Sequence, residues 1–341
     1  MNAPAAASTL IEMISASWMS QAVCVAAELC IADQLANGAK GVDDLARVTQ
    51  SQPASLRRLM RALASLGLCA ECDDGSFELT ATGALLRTDA VPSLRSWAIW
   101  WGRYRWPMWG ELRECVCAGH SECQRAGSAH VDDDPAAAAV FNQAMVELTR
   151  LTAVEVLRVY DFSTVGRLVD VGGGYGELLA MLLAAHPQMQ GTLFDLPSAI
   201  ACAAAHLVRA GVAERCELVA GSFFESVPGG ADAYVMKSVL HSWSDERSRT
   251  ILRNCCQAMP NHARLVLVER IMPARMRGCA SERPAARSDL HMLIGSGGRE
   301  RTQAEFAALL ADSGLQATEF IPAGLDHWVI EAVPDPRRRV G

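Results

Sequence analysis

A histidine, two glutamates and a glycine-rich turn are the residues of this chain best suited to chemistry. His241 stands in the run Lys237-Ser-Val-Leu-His241-Ser-Trp-Ser-Asp-Glu246, Glu269 in Leu267-Val-Glu269-Arg270, and Glu300 in Gly297-Gly-Arg-Glu300-Arg301. An imidazole whose tautomer and charge are set by carboxylates can take a proton from a hydroxyl. That includes a phenol, whose pKa of about 10 leaves it neutral at physiological pH. The second cluster is Gly172-Gly-Gly-Tyr-Gly176, with Asp195 closing the strand that follows. A glycine turn between strand and helix, with an acid at the end of the next strand, is the layout of a nucleotide pocket. The dinucleotide fingerprint needs a glycine where Glu177 stands, and a carboxylate there is a poor neighbour for pyrophosphate.

Only a sheet that brings several strand ends to one edge can gather these residues. Leu168, Val169 and Val171 form the short apolar run of a buried parallel strand, and residues 177–183 continue as a helix. Further strands are expected over 191–194, 216–219, 233–236, 264–268 and 328–332, with helices over 199–210, 245–258 and about 303–313. This alternation predicts a doubly wound α/β sheet, whose ligands lie at the C-terminal strand ends. His241 follows one such strand, just before a helix capped by Ser244, and Glu269 ends the next.

At 341 residues the chain is long enough for two domains. It is 50% hydrophobic and 20% charged, the balance of a globular protein. A net charge of −7 and a pI near 5.7 give no electrostatic case for nucleic acid or anionic membrane. Nearly every basic residue is Arg; Lys40 and Lys237 are the only lysines, which singles out Lys237 beside His241. The apolar stretch 14–27 is interrupted by Ser15, Ser17, Ser20 and Gln21. It reads as too polar for a signal peptide and too short to span a bilayer, so a cytoplasmic protein with reduced cysteines is expected.

Residues 9–35 have helical spacing and few charges, as a helix buried on several sides would. Helices over 42–47 and 53–67, then a hairpin over 68–72 and 76–79, outline a winged helix. That module often binds DNA, but Arg57, Arg58 and Arg61 are its only basic cluster, so packing against a second copy is the preferred reading. Residues 96–113 hold five of the eight tryptophans, either as core or as the wall of an aromatic pocket. Residues 119–138 read as a surface loop, and a helical pattern resumes towards Tyr160. Cys69-x-x-Cys72 and Cys115-x-Cys117-x2-His120-x2-Cys123 have partial zinc-ligand spacing. The second group lies in or beside a helix, where its offsets cannot converge, and no metal is expected.

The run Asp170-x-Gly172-x-Gly174-x-Gly176 resembles motif I of S-adenosylmethionine-dependent methyltransferases. Together with FDLP ending in Pro197, the Lys237-x3-His241-x-Trp243-x-Asp245-Glu246 run, the VxVER strand and GGRERT, it resembles in order and spacing the homodimeric small-molecule O-methyltransferases. These are typified by plant caffeate-type and bacterial natural-product enzymes. The resemblance implies a Rossmann-like methyltransferase domain over 105–341, with linking helices at 105–160, and a winged-helix-like dimerisation domain over 1–104. It implies S-adenosyl-L-methionine as cofactor, leaving as S-adenosyl-L-homocysteine. Gly172, Gly174 and Asp195 would hold it, Asp195 by the ribose hydroxyls, with Phe223 on the adenine and Ser222 and Lys237 near. His241 would be the general base flanked by Glu269 and Glu300, and Phe141, Met145 and Met292 would line the acceptor pocket. The implied reaction is methyl transfer to a phenolic hydroxyl of an aromatic or polycyclic natural product. The Ala-rich, Arg-over-Lys composition suits a bacterial tailoring enzyme. Amine methylation, decarboxylation and hydroxylation on the same fold remain alternatives.

One position departs from the family pattern. Where an Asp commonly meets the adenine amine, this chain has Gly221-Ser222-Phe223. A serine can accept that hydrogen bond only without charge assistance. Ser222→Asp is therefore expected to tighten S-adenosylhomocysteine binding in calorimetry; an unchanged affinity would contradict the position given to Ser222.

Overall fold

The computed structural model describes residues 3–119 and 134–337, which group into two compact units. Among the described residues the first unit holds 3–110 and 134–148, and the second holds 111–119 and 149–337. The helix Pro135–Val159 contributes to both units.

In the first unit, helix Pro53–Ser65 opens on a proline, with the Gln52 side chain accepting the Ser55 N–H at 2.6 Å. Its stripe Leu56, Met60 and Leu63 packs with Leu35, Leu45 and Phe77 into one core. Strand β1 (Cys69–Glu71) pairs antiparallel with β2 (Phe77–Leu79), and the Asp74 carboxylate accepts the Ser76 N–H in the turn between them. The helix-helix-hairpin outline is thus as the sequence predicts. A second, aromatic cluster forms where Trp100, 2% exposed, meets Phe141 at 4.9 Å and Tyr104 at 5.6 Å between ring centroids. Trp100–Arg105 is a π-helix, an irregularity no spacing foretells.

The N-terminus corrects two expectations. Burial begins only at Cys24; Leu10, Ile11, Met13, Ile14 and Trp18 are exposed in the single chain. The helical stretch Pro4–Glu28, 25 residues, extends beyond the apolar run 14–27 that read as too short to span a bilayer, and by length and composition alone it could cross a membrane. The serines that seemed to interrupt it bond back to the helix, Ser15 Oγ to the Ile11 carbonyl at 2.7 Å and Ser20 Oγ to the Ser17 carbonyl at 3.1 Å. Their hydroxyls are satisfied by the backbone, and the helix pauses at Ala16, between Ala3–Ser15 and Ser17–Glu28.

The second unit is built on a seven-stranded sheet. Its strands are β3 (Arg167–Val171), β4 (Gln190–Asp195), β5 (Cys216–Ala220), β6 (Ala233–Lys237), β7 (Arg264–Arg270), β8 (Leu315–Pro322) and β9 (His327–Pro334), in the order β5-β4-β3-β6-β7-β9-β8. The first five are parallel, and β9 runs antiparallel to both neighbours. Leu168, Leu193, Val235 and Val266 face the helices Glu177–Ala185 and Pro197–Arg209, while Val169, Tyr234 and Leu267 face Asp245–Ala258 and Gln303–Asp312. Burial on both faces explains why these strands are continuously apolar. The order reverses between β3 and β6, so the loops after those strands diverge and open a crevice at their C-terminal ends.

Two elements were not foreseen. β8 carries a bulge between Ala317 and Glu319 and is partly exposed, so it lacks a clear apolar alternation. Helix Arg283–Ile294 buries Ala285, Ser288, His291 and Ile294, two of them polar, and so shows no apolar stripe. The loop expected over 119–138 gives way to helix at Pro135, and residues 120–133 lie outside the described ones, His120 and Cys123 among them. The described cysteines are free, and none belongs to a metal-competent cluster among the described residues.

Candidate active site

His241 is held from three sides. After β6 the chain turns through Ser238, at φ +54°, into a short 3-10 turn Leu240–Ser242, and Ser244 then caps the helix Asp245–Ala258. Glu269, fully buried at the end of β7, accepts the N–H groups of Val239 at 3.0 Å and Leu240 at 2.8 Å through Oε1. Its Oε2 has no hydrogen-bond partner and lies 3.9 Å from His241 Nδ1. Glu300 Oε1 is 3.0 Å from the same Nδ1 and accepts the Ser288 hydroxyl at 2.6 Å. Two carboxylates on Nδ1 favour a proton there, which leaves Nε2 to accept a proton from a ligand.

The turn that brings Glu300 is welded to the His241 loop. The Arg299 N–H donates to the His241 carbonyl at 2.9 Å, and a Cβ on Gly298 would sit 2.0 Å from that oxygen, so only glycine fits. The Glu300 N–H donates to Asp289 Oδ1 at 2.8 Å. Arg301, 1% exposed, donates to the Leu240 and Trp243 carbonyls at 2.8 Å each, to Ser248 Oγ at 3.2 Å and to Asp245 Oδ1 at 2.9 Å. Such a buried guanidinium is tolerable because its donors are matched by carbonyls and a carboxylate. Ser288, Asp289 and Arg301 were not singled out from the sequence; only Arg301, next to Glu300, left a signal there.

Charge and burial compete at this histidine. Burial alone lowers the imidazole pKa, but Glu269 and then Glu300 outweigh it and raise it above the ordinary value of 6.5. Burial also raises Glu269. At Glu300 burial is outweighed by the hydrogen bond with His241, and its carboxyl falls below the usual range. Glu300 is therefore the ionised partner. The ligand atoms of His241, Glu269 and Glu300 lie within 4.8 Å of one another, a spacing that a cation as well as a proton could occupy.

The glycine turn lies against the same loop. A Cβ on Gly172, at φ +71°, would press on Val239 Cγ2 at 3.0 Å and Phe223 Cε1 at 3.4 Å. Asp195 Oδ2 accepts the Gly174 N–H at 2.7 Å and Oδ1 the Leu196 N–H at 2.6 Å, with lone pairs left for a ligand's hydroxyls. Over Gly174 the space is open. Asp170, 1% exposed, has an unpartnered Oδ2; burial, then Asp195, raises it to about 7 against the pull of Lys237. Ser222 Oγ accepts the Phe224 N–H at 3.3 Å, and Phe223 packs edge-on against Phe224 and Trp243. An open cradle of bare backbone, an aromatic wall and an acid with spare acceptors fit an adenosine-bearing cofactor. Glu177, in the place of the third glycine, instead binds Arg150 at 2.6 Å and His206 at 2.5 Å.

Of the expected acceptor-pocket residues, Phe141 and Met145 lie in the aromatic cluster of the first unit, and Met292 on the helix Arg283–Ile294 of the second. A groove of about 530 Å³ is lined by Arg167, Gln190, Arg215 and Glu217, at the N-terminal strand ends. It is on the opposite sheet edge from His241 and shares none of these residues.

Comparison with known proteins follows the same division. Residues 109–316 match the model of an O-methyltransferase domain and residues 11–89 that of an O-methyltransferase dimerisation domain. A phenazine O-methyltransferase, PhzM, from Lysobacter antibioticus is 37% identical over 333 residues, 96% of each chain. An 8-amino-8-demethylriboflavin N,N-dimethyltransferase from Streptomyces davaonensis is 34% identical, over 89% of this chain and 88% of its own length. Among solved structures, LaPhzM matches with a TM-score of 0.90 at 36% identity, over 96% of this chain and 99% of its own. CalO1, a methyltransferase in calicheamicin biosynthesis solved with SAH bound, matches with a TM-score of 0.85 at 30% identity, over 98% and 99%.

The raised imidazole pKa has a kinetic consequence. An imidazole that acts as a base must be neutral and loses activity as pH falls through its pKa, so in that role His241 would put the acidic limb of kcat/KM above 6.5. Glu300→Gln removes a group that holds the value up while leaving the imidazole buried. The limb should then move to lower pH by about one unit or more. A limb that does not move would contradict the pairing.

Proposed function

The chain belongs to the O-methyltransferase family that joins a catalytic domain to a dimerisation domain, and on that premise we propose that it methylates a phenolic hydroxyl of an aromatic natural product, with His241 as general base. The observation that carries the reading is the hold of Glu300 and Glu269 on His241 Nδ1, at 3.0 and 3.9 Å. S-Adenosyl-L-methionine, when bound, supplies an electrophilic methyl group. Gly172 and Gly174 offer it close backbone approach, Asp195 receives its ribose, and Phe223 with Ser222 borders its adenine, with Lys237 near. His241 Nε2 takes the phenol proton as the oxygen attacks, and the imidazolium so formed is stabilised by the ionised Glu300. Glu269 keeps the loop in place through two backbone N–H groups and adds negative potential. Met292 supplies apolar lining for an aromatic acceptor, the role that the family resemblance also implies for Phe141 and Met145.

The exposed Leu10, Ile11, Met13 and Ile14 bury against a second copy in this reading, with residues 1–104 as the dimerising part and 105–341 as the catalytic part. Their position in and beside the matched dimerisation domain supports a protein partner over a bilayer, as does the net charge of −7. The N,N-dimethyltransferase among the relatives keeps an amine acceptor as a second reading.

Replacing His241 by Gln separates the two. For a phenol, turnover with labelled cofactor should fall by about 10²–10⁴-fold, the usual worth of a positioned base, while S-adenosylhomocysteine still binds. Full activity would reject the base role and favour an amine that needs no such help. Chelators should leave turnover unchanged, since the acids act on a proton; loss restored by a divalent ion would reassign the three side chains as ligands. Ile11→Glu with Ile14→Glu should turn a dimer into a monomer by light scattering, and a monomeric wild type would contradict the second-copy reading.

A further inference from the structure

One crossover of the sheet carries no helix. Among the described residues, β3 to β4, β4 to β5 and β6 to β7 are joined through the helices Glu177–Ala185, Pro197–Arg209 and Asp245–Ala258. Between Ala220 and Ala233 the chain makes only a turn, in which the Ser222 carbonyl accepts the Glu225 and Ser226 N–H groups at 2.9 and 3.1 Å. A segment with neither a ladder nor a helix of its own takes its position from the elements it touches. This one carries Phe223 to the glycine turn, with Cε1 3.4 Å from where a Cβ on Gly172 would stand.

The grip on this segment comes from the helix Asp245–Ala258. Arg247 and Asn254 stand seven residues apart, two turns along one side, and Ile251 is buried between them. Asn254 Nδ2 donates to the Phe223 carbonyl at 2.9 Å. Arg247 takes the rings: its guanidinium carbon is 4.3 Å from the Phe224 centroid and 4.4 Å from the Trp243 centroid. Those two rings stand at 89° to each other with centroids 4.9 Å apart, and the cation fills the angle they make. Phe223 leans edge-on against both, at 4.9 Å from Phe224 and 6.2 Å from Trp243. Arg247 is exposed, and its guanidinium has no ion pair or hydrogen bond among the described residues. The rings are its partners there, a cation drawn to aromatic faces.

We propose that Arg247 and Asn254 are positioning residues for the cofactor: from one side of a helix they hold the Phe223–Phe224 turn against the glycine cradle, and so set the affinity for the adenosine part without touching it. Asn254 fixes the backbone of the turn, and Arg247 fixes its rings. The inference rests on the reading above that places the adenine at Phe223.

Calorimetry of S-adenosylhomocysteine binding to the full-length protein tests it. Arg247→Met keeps the reach of the side chain and removes the cation; it should weaken binding by about threefold or more, and Arg247→Lys should recover most of the loss. Asn254→Ala should weaken binding by about twofold to tenfold, the worth of one hydrogen bond. Because Arg247 is exposed, its variants should melt within about 2 °C of the parent. In a Phe224→Leu background Arg247→Met should lose less than it does alone, since the two side chains act as one unit. Losses that multiply in full would mean that Arg247 meets the cofactor directly, and would overturn the inference. So would an affinity unchanged in both Arg247→Met and Asn254→Ala, a result that decides the matter even where Phe224→Leu does not fold. Phe223→Ala separates the inference from its premise. If that variant binds as the parent does, the adenine is not at Phe223; if it binds weakly while Arg247→Met and Asn254→Ala bind normally, only the positioning role fails.

Discussion

One contact governs the geometry of this site: the hydrogen bond between Glu300 and Nδ1 of a buried imidazole. Desolvation works against any charge on His241, and Glu269 at 3.9 Å together with Glu300 at 3.0 Å reverses that bias. The arrangement is held by the groups that flank it, although one oxygen of each glutamate, Oε2, is buried without a hydrogen-bond partner. Glu300 accepts from Ser288, Glu269 binds two backbone N–H groups, and Arg301 ties down the carbonyls on either side of the histidine. Three parts of the chain far apart in sequence are thereby fixed around one ring, and its tautomer follows from their positions.

The glycine cradle and the His241 loop share a mechanical link. Val239 donates its N–H to Glu269 and sets its side chain where a Cβ on Gly172 would collide. Phe223 touches the same point from the loop after β5. A substitution at Gly172 therefore disturbs the glycine turn, the aromatic wall and the start of the His241 loop together. The reversal of strand order between β3 and β6 places these loops side by side at one crevice. Glu177 adds a brace behind the turn, through Arg150 and His206, where the dinucleotide pattern would have placed a glycine.

Much of this was legible in the sequence because it is local or periodic. The apolar runs of β3, β4, β6 and β7 declared a sheet buried on both faces, and the Ser244 cap and the Asp74 turn announced the elements they bound. His241 and Glu269 were found because both stand at the ends of such strands. Less visible was whatever depends on long-range pairing. Arg301 looks like a solvated charge until its four partners arrive from the His241 loop and the helix after it, and Arg270 looks like the end of a motif until β9 brings His327 beside it. β8 escaped notice because its bulge breaks the alternation of its apolar residues, and the helix Arg283–Ile294 because two of its four buried residues are polar. At the N-terminus the sequence shows the serines as polar interruptions of an apolar run, whereas the fold bonds the hydroxyls of Ser15 and Ser20 back onto the helix backbone.

The central claim is a statement about one proton, and nitrogen-15 NMR of the labelled imidazole observes it directly. In the full-length protein the His241 resonances should show Nδ1 protonated and Nε2 bare above the titration midpoint, with that midpoint above 6.5. A ring with its proton on Nε2, or one that titrates below 6.5, would mean that the carboxylates do not hold Nδ1 and that His241 is not set to receive a substrate proton.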